Sequence, residues 1–319
     1  MTAAGDRAGP VVALAGGVGA ACFLRGLVRA VPPEQVVAIV NTGDDRVFYG
    51  VQVCPDLDIV TYTLAGRVSE RGYGIAGDSF AVVDALGALG HETWFRLGDR
   101  DLATCLHRTM ALAEGAGLAS VTDEIRRALG VPARILPMSE DPCPTFVDLS
   151  GGRREHFEEY LARDGAPDDV TGVDLTMAKA AFPAPGVIEA IAEARVILIC
   201  PSNPVVSIGP ILALPGVQEA ITESPAPVVA ISPIIAGRPV KGPADRLLRA
   251  IGVEVSARGV ASFYADLVDG FVLDRRDAEQ AVDVEALSLR CAAVETLMRT
   301  PQVSEALARA SLELAFAGA

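Results

Sequence analysis

The chain is short of the side chains on which many metal and hydrolytic enzymes depend. It has three histidines, His91, His107 and His156, all isolated and none at metal-ligand spacing, which argues against zinc chemistry and against a Ser-His-Asp triad. Its six cysteines, Cys22, Cys54, Cys105, Cys143, Cys200 and Cys291, include no C-x-x-C pair, so buried reduced thiols are expected. Lysine occurs only at Lys179 and Lys241, and the formal net charge is −14. A protein so acidic has no broad basic face for a nucleic-acid backbone, and to handle anions it must bring a metal or local arginine to its site. No apolar run approaches the roughly 20 residues of a membrane span. The alanine- and valine-rich stretch 10–24 is broken by glycines and followed by Arg25, so it reads as strand, turn and helix rather than as a signal-peptide core. The expectation is a cytoplasmic protein with neither a nucleic-acid nor a membrane partner.

What is present is concentrated in residues 10–58. The stretch PVVALAGGVGAACFLRGL carries a short β-branched run, a break at Gly16, Gly17 and Gly19, and helical spacing over 20–31. A strand passing through glycines into a helix points backbone N–H groups and a positive dipole end at one spot, which suits a phosphate. GGVG is neither a complete G-x-G-x-x-G nor a Walker loop, since no Gly-Lys-Ser/Thr follows. A second strand, 36–40, ends at Asn41-Thr42-Gly43-Asp44-Asp45, and Asp56 and Asp58 follow in PDLD. Loops after neighbouring strands of a doubly wound sheet open onto the same edge. A phosphate cradle beside clustered carboxylates is what a divalent metal bridging to a phosphate ester requires. Plainer readings compete: Asp44-Asp45 as turn chemistry, and Asp56 and Asp58 as caps of a helix beginning near Ile59.

Strand-like runs at 11–15, 36–40, 134–137, 195–200, 228–231 and 271–273 alternate with helical ones at 20–31, 79–90, 99–114, 122–130, 186–193, 244–251 and 259–268, and a last helix is expected over 303–316. The fold class is α/β: a Rossmann-like, doubly wound, mainly parallel sheet with an inserted smaller subdomain. The expected divisions are 1–142, a Gly-turn and Asp-cluster half; 143–185, the inserted hairpin and helical piece; and 186–319, the second half. In the insertion, Glu155, Glu158 and Glu159 read as a solvated helix face. The loops LPMSEDP, CPSNP and ISPII with VKGP are rich in serine and proline and look like several strand-end loops lining one crevice. Trp94 reads as a core residue. The apolar tail SLELAFAGA suggests an interface helix, hence a homodimer.

Taken in order, AGGVGAACFLRGL, VNTGDD, PDLDIVTYTLAG, LGDRDLATCLHRT, LPMSEDP, CPSNPVVSIGPILALPGV, AISPIIAGRPVKGPADRLL, GVASFYADLVDGFVLD and ETLM resemble the 2-phospho-L-lactate transferase family, over nearly the whole chain. The resemblance implies a phosphotransferase of coenzyme F-420 biosynthesis. In it, the ribityl hydroxyl of the deazaflavin Fo attacks the phosphate attached to a three-carbon acid in a guanosine diphosphate ester. GMP leaves, and magnesium is the cofactor. The lysine-poor, alanine- and arginine-rich composition has an actinobacterial look, which favours an enolpyruvyl over a lactyl donor. By position, the resemblance implies that Gly16, Gly17 and Gly19 cradle the donor phosphates, that Ser202 and Asn203 contact the guanosine half, and that Asp58 and Arg96 contact Fo. Asp44 and Asp45 are then the candidates for Mg2+, with Asp56 an alternative, and Asp45 and Asp58 stand closest to catalysis. Departures from the family pattern are Val18 for threonine, Tyr73-Gly74 for Trp-Gly, Glu140 in the MSDDP motif, and Glu158 where glutamine is usual.

Two readings from other classes compete. A nucleotide-sugar-binding regulatory factor of the same Rossmann-like fold should carry a Gly/Ser-rich stretch after the Asp pair, where this chain has Arg46-Val47-Phe48. An NAD-dependent oxidoreductase should show a catalytic Tyr-Lys pair, and no Y-x-x-x-K occurs here.

Overall fold

A computed structural model describes residues 8–70 and 72–317. Seven strands form one sheet in the order Arg290–Val294, Gly270–Asp274, Val228–Ile231, Val196–Ile199, Val11–Ala15, Val36–Val40, Arg134–Pro137. Every pairing is parallel. Six of these strands follow from their apolar, β-branched runs. The seventh, Arg290–Val294, reads RCAAV, too small and too polar to signal a strand, and it sits at the edge where one face is half exposed.

The inner strands are buried on both faces, as a parallel sheet between helices requires. Along Val11–Ala15, alternate residues enter two cores: Val12 and Leu14 with Val37 and Ile39 on one side, Val11, Ala13 and Ala15 with Val36 and Ala38 on the other. The second side is covered by the helices Gly17–Ala30, Pro55–Leu64 and Pro301–Phe316. Leu307, Ala308 and Ala315 of the last helix are buried in that core. Within the tail itself Ser311 and Ala315 are buried, whereas Leu312, Leu314 and Phe316 pack against that core half-buried, and the last two residues of SLELAFAGA lie outside the described ones.

The strand order places the topological switch between Val11–Ala15 and Val196–Ile199. From the first strand the chain winds outward through Val36–Val40 to Arg134–Pro137, then returns to the opposite side of the first strand and winds the other way. Two smaller pieces flank the carboxyl ends of these strands. A tight hairpin, Arg46–Phe48 with Val51–Val53, follows the Asp pair directly. Residues 146–174 hold a three-stranded antiparallel sheet in the order Arg154–His156, Phe146–Leu149, Val170–Asp174.

Among the described residues no single helix is long and apolar enough to cross a membrane. All six cysteines are free; four are buried, whereas Cys22 and Cys291 are only half-buried, contrary to the expectation for those two.

Candidate active site

The crevice at the switch is built by the first turn of one helix and the loops of three strands. Gly16 ends the first strand's extension, and Gly17 opens the helix Gly17–Ala30 with φ of +70°, a conformation that excludes most side chains. The three glycines have different reasons to be glycine. A Cβ on Gly16 would lie 2.7 Å from Ser207 Cβ and 2.8 Å from an Asp56 carboxylate oxygen. A Cβ on Gly19 would lie 2.2 Å from the Pro201 carbonyl oxygen, so Gly19 lets the first helix close on the loop of the neighbouring strand. That closure is reinforced by the Ser202 hydroxyl, which donates to the Gly16 carbonyl at 2.8 Å. Asn203 caps the turn at 204–208, its Oδ1 accepting from Val205 N–H at 3.0 Å.

Asp44 and Asp45 follow the second strand, and Asp56 faces them from the first turn of the helix Pro55–Leu64. That helix begins at Pro55, so Asp56 and Asp58 lie inside it and do not cap it, and the reading of a helix from Ile59 is corrected accordingly. Asn41 binds the acids together: its amide donates to Asp56 at 2.9 Å and to Asp44 at 3.3 Å, while its Oδ1 accepts from Gly43 N–H at 2.9 Å. The Gly17 N–H, which the sequence assigned to a phosphate, donates to Asp56 at 2.7 Å. Glu158 joins the same cluster from the three-stranded piece. It is 7% exposed, Glu155 lies on the strand Arg154–His156, and Glu155 and Glu159 are only half-buried, so the reading of the three as a solvated helix face is corrected.

Burial dominates the electrostatics. It lifts Asp56 to about 6 against the hydrogen bonds from Asn41 and Gly17. Glu158 is pushed up to about 7, by burial first and the Asp56 charge second, with Arg46 opposing. Asp44 is raised well above the ordinary carboxylate range by burial and then by Asp56 and Glu158. Half-buried Asp45 is raised well above it by desolvation, although Cys54 and Arg108 pull the other way. Its Oδ1 has no hydrogen-bond partner. These are the hard oxygens that Mg2+ prefers, but among the described residues the ligand atoms that converge within 4.8 Å are those of Asp58, Asp101 and Cys105 rather than of Asp44, Asp45 and Asp56.

Asp58 points to the other side of its helix. Both of its oxygens are held by the guanidinium of Arg108, which is 1% exposed. Asp101 and Cys105 share that wall, with Asp101 accepting from the Tyr62 hydroxyl at 2.8 Å. Asp58, Asp101 and Cys105 lie close enough to hold a metal, but the guanidinium already neutralises Asp58. Arg96 is half-exposed, pairs with Asp84 at 2.7 Å and lies over the Phe80 ring. The structure therefore pairs Asp58 and Arg96 each elsewhere rather than with one another. Trp94 packs edge-on against Phe48 in a small cluster with Phe95.

The model of 2-phospho-L-lactate transferase CofD matches residues 11–299. The chain belongs to the 2-phospho-L-lactate transferase family. Within it, the chain is 47% identical over 312 residues to a phosphoenolpyruvate transferase of Kitasatospora aureofaciens, covering 96% of this chain and 97% of that one. It is 39% identical over 300 residues to a 2-phospho-L-lactate transferase of Methanosarcina mazei, covering 93% and 98%. The protein is accordingly a transferase. A Bacillus halodurans protein of the UPF0052 family, 21% identical, superposes with a TM-score of 0.61 over 96% of this chain and 99% of that one, a likeness of fold.

Three residues at this family's crevice escaped the sequence reading. Asn41 had a signal, an amide at the end of a buried strand. Arg108 had one too, since Asp101, Cys105 and Arg108 share a helix face by spacing. Glu158 had none, because its neighbours are charged and only the tertiary fold turns it inward. In the loop LPMSEDP the polar side chains bond within the body: Ser139 donates to Phe182 O, Asp141 accepts from Phe182 N–H, and Glu140 accepts from Ala119 N–H. Ser232 likewise closes its own loop on Ile234.

Proposed function

We propose that the protein moves a phosphoenolpyruvyl group, or its 2-phospholactyl counterpart, from a guanosine diphosphate ester to the ribityl hydroxyl of Fo, in the formation of coenzyme F-420. The observation that carries the reading is the carboxylate cluster of buried Asp44 and Asp56 with half-buried Asp45, packed against a Gly-turn helix start at the switch point of the sheet. The more similar relatives at 47% and 45% identity bear the name phosphoenolpyruvate transferase, which favours the enolpyruvyl donor.

In this reaction the hydroxyl oxygen of Fo bonds to the phosphorus that carries the three-carbon acid. The bond from that phosphorus to the GMP oxygen breaks, GMP leaves, and the hydroxyl proton is lost. Phosphoryl transfer depends mostly on positioning and on stabilising spread negative charge. The first helix offers its N-terminus to the donor phosphates, with Gly16 and Gly19 letting the strand-end loops close tightly around them. Ser202 and Asn203 stand on the loop beside it, where the guanosine half would lie. Asp44 and Asp45 would hold Mg2+, with Asp56 as a further ligand, and Mg2+ supplies positive charge that offsets the phosphates. Asp45 is the group we assign to the departing proton, since burial raises its affinity above that of an exposed aspartate. Asp58 and Arg96 are assigned to Fo.

The test is turnover followed by mass spectrometry, with Fo, Mg2+ and either enolpyruvyl- or lactyl-diphosphoguanosine in separate reactions. GMP together with a deazaflavin phosphodiester is the expected product, from the enolpyruvyl donor in preference. Failure of both donors, without detectable binding of Fo, would sink the proposal.

A further inference from the structure

Lys241 is one of two lysines in the chain, and it follows the small hairpin of Ile234–Ile235 with Arg238–Pro239 that comes after the strand Val228–Ile231. Its loop therefore opens at the carboxyl edge of the sheet, on the other side of the switch from the Asp pair. A second segment approaches from the side of the Asp pair. After the helix Pro55–Leu64 the chain doubles back: Val68 bridges Ile75 antiparallel, Ser69 N–H donates to Gly74 O at 3.0 Å, and Gly72 N–H donates to Ser69 O at 2.9 Å. The two segments meet over the start of the helix Gly17–Ala30. A Cβ on Gly72 would lie 3.4 Å from Val18 Cγ1 and 4.0 Å from Lys241 Nζ, and that ammonium stands 4.9 Å from the centre of the Tyr73 ring. The negative face of the ring attracts the cation. Lys241 is thereby held close to the first turn of the helix.

That turn has little else to offer an anion. The Gly17 N–H is spent on Asp56. The arginines round the crevice are paired: Arg46 with Glu159, Arg108 with Asp58 and Arg96 with Asp84. A diphosphate brings further negative charge to a crevice already rich in carboxylates, so its binding calls for a cation near the helix start. An ammonium on a flexible stem is a point charge that can follow either phosphate. The flank of the helix is basic as well. Cys22 and Arg25 share a face with Val18, one and two turns on. Arg25 Nε is buried without a hydrogen-bond partner. Burial raises the Cys22 thiol, with the charges of Arg25 and then Lys241 pulling it down.

We propose that Lys241 binds the diphosphate of the donor, its ammonium positioned by the Tyr73 ring over the first turn of the helix Gly17–Ala30. The inference rests on the donor reading given above. It adds to the glycine turn a charged residue from the other side of the switch, so that both sides of the sheet hold the same phosphates.

The experiment is titration calorimetry of GDP and, separately, of Fo in the presence of Mg2+, with full-length wild type, Lys241→Met, Lys241→Arg, Tyr73→Leu and Lys179→Met. Thermal melting of each protein accompanies it. Lys241→Met is expected to weaken GDP by about tenfold or more, the worth of a charged hydrogen bond, and Lys241→Arg by less because the charge is kept. Tyr73→Leu should weaken GDP by about threefold, and Lys179→Met should leave it unchanged. Fo, which carries no phosphate, should bind all five alike, and their melting temperatures should agree within a few degrees. GDP bound equally by wild type and Lys241→Met would overturn the role of Lys241 and leave the donor reading standing. Loss of GDP and Fo together, or a Lys241→Met protein that melts far below wild type, would make Lys241 a structural residue and also overturn the proposal. Tyr73→Leu binding GDP as tightly as wild type would overturn the part given to the ring. Wild type without affinity for GDP would overturn both the proposal and the donor reading.

Discussion

Replacing Asp58 by alanine should destabilise the protein as well as weaken acceptor binding. Asp58 and Arg108 are both almost fully buried, and the guanidinium grips both carboxylate oxygens. Removing one member of such a pair leaves the other charge buried and uncompensated, a loss of about 3–5 kcal/mol. Arg108 keeps one other strong partner, the Gln52 carbonyl at 3.1 Å, so the lower half of that range is expected. For a chain of this length, a specific unfolding entropy of about 2 cal/mol/K per residue converts each kcal/mol into roughly 1.5 °C. Asp58→Ala should therefore melt about 5 °C below wild type. Arg108→Met alone should lose a comparable amount, since it strands Asp58 beside Asp101. The double variant Asp58→Ala/Arg108→Met should recover most of the loss, because an apolar pair of similar volume is often as stable as a buried ion pair. The assay is urea or thermal unfolding of all four proteins, read as a double-mutant cycle. A coupling below about 0.5 kcal/mol, or a double variant as unstable as the sum of the singles, would refute the reasoning.

Three other outcomes follow from the geometry. Metal-free protein should become less stable as pH rises from about 4 to 7: Asp56, lifted to about 6, and Glu158, lifted to about 7, stay protonated in the folded state where the unfolded chain has ionised. The Asp56 contribution is on the order of 3 kcal/mol, present below the unfolded value and lost through the folded one, and melting in EDTA that rises steadily from pH 5 to 8 would contradict it. Gly19→Ala should lose about 1–3 kcal/mol by driving a methyl into the Pro201 carbonyl; denaturation curves matching wild type would show that the two loops are not closed as described. Asp45→Asn should retain the melting temperature within a few degrees and lose at least a hundredfold in kcat, and near-normal turnover would move the chemistry away from the Asp pair.

Much of the fold is legible in local pattern. Buried parallel strands must be continuous apolar runs, so VVALA, VVAIV and VILI announce themselves. Edge strands need not be, and RCAAV does not. The meeting of the Asn41–Asp45 loop, Asp56 and the Gly turn was legible for a topological reason, since loops after adjacent parallel strands open at one edge. The fate of individual charges was less so. Asp56 and Asp58 are two residues apart on one helix turn, yet they face different partners, Gly17 and Arg108, because two residues of an α-helix are separated by about 200°.

By itself, then, the sequence determined the α/β class, the strand–turn–helix at Gly16 and Gly17, the acid motifs and the family, because each is written in contiguous residues. Only the tertiary structure decided which carboxylates are desolvated, that Arg108 neutralises Asp58, and that Glu158 leaves a charged surface segment to face Asp44 and Asp56. Those are matters of burial and of contacts between residues far apart in the chain, and no local pattern specifies where a buried charge finds its partner.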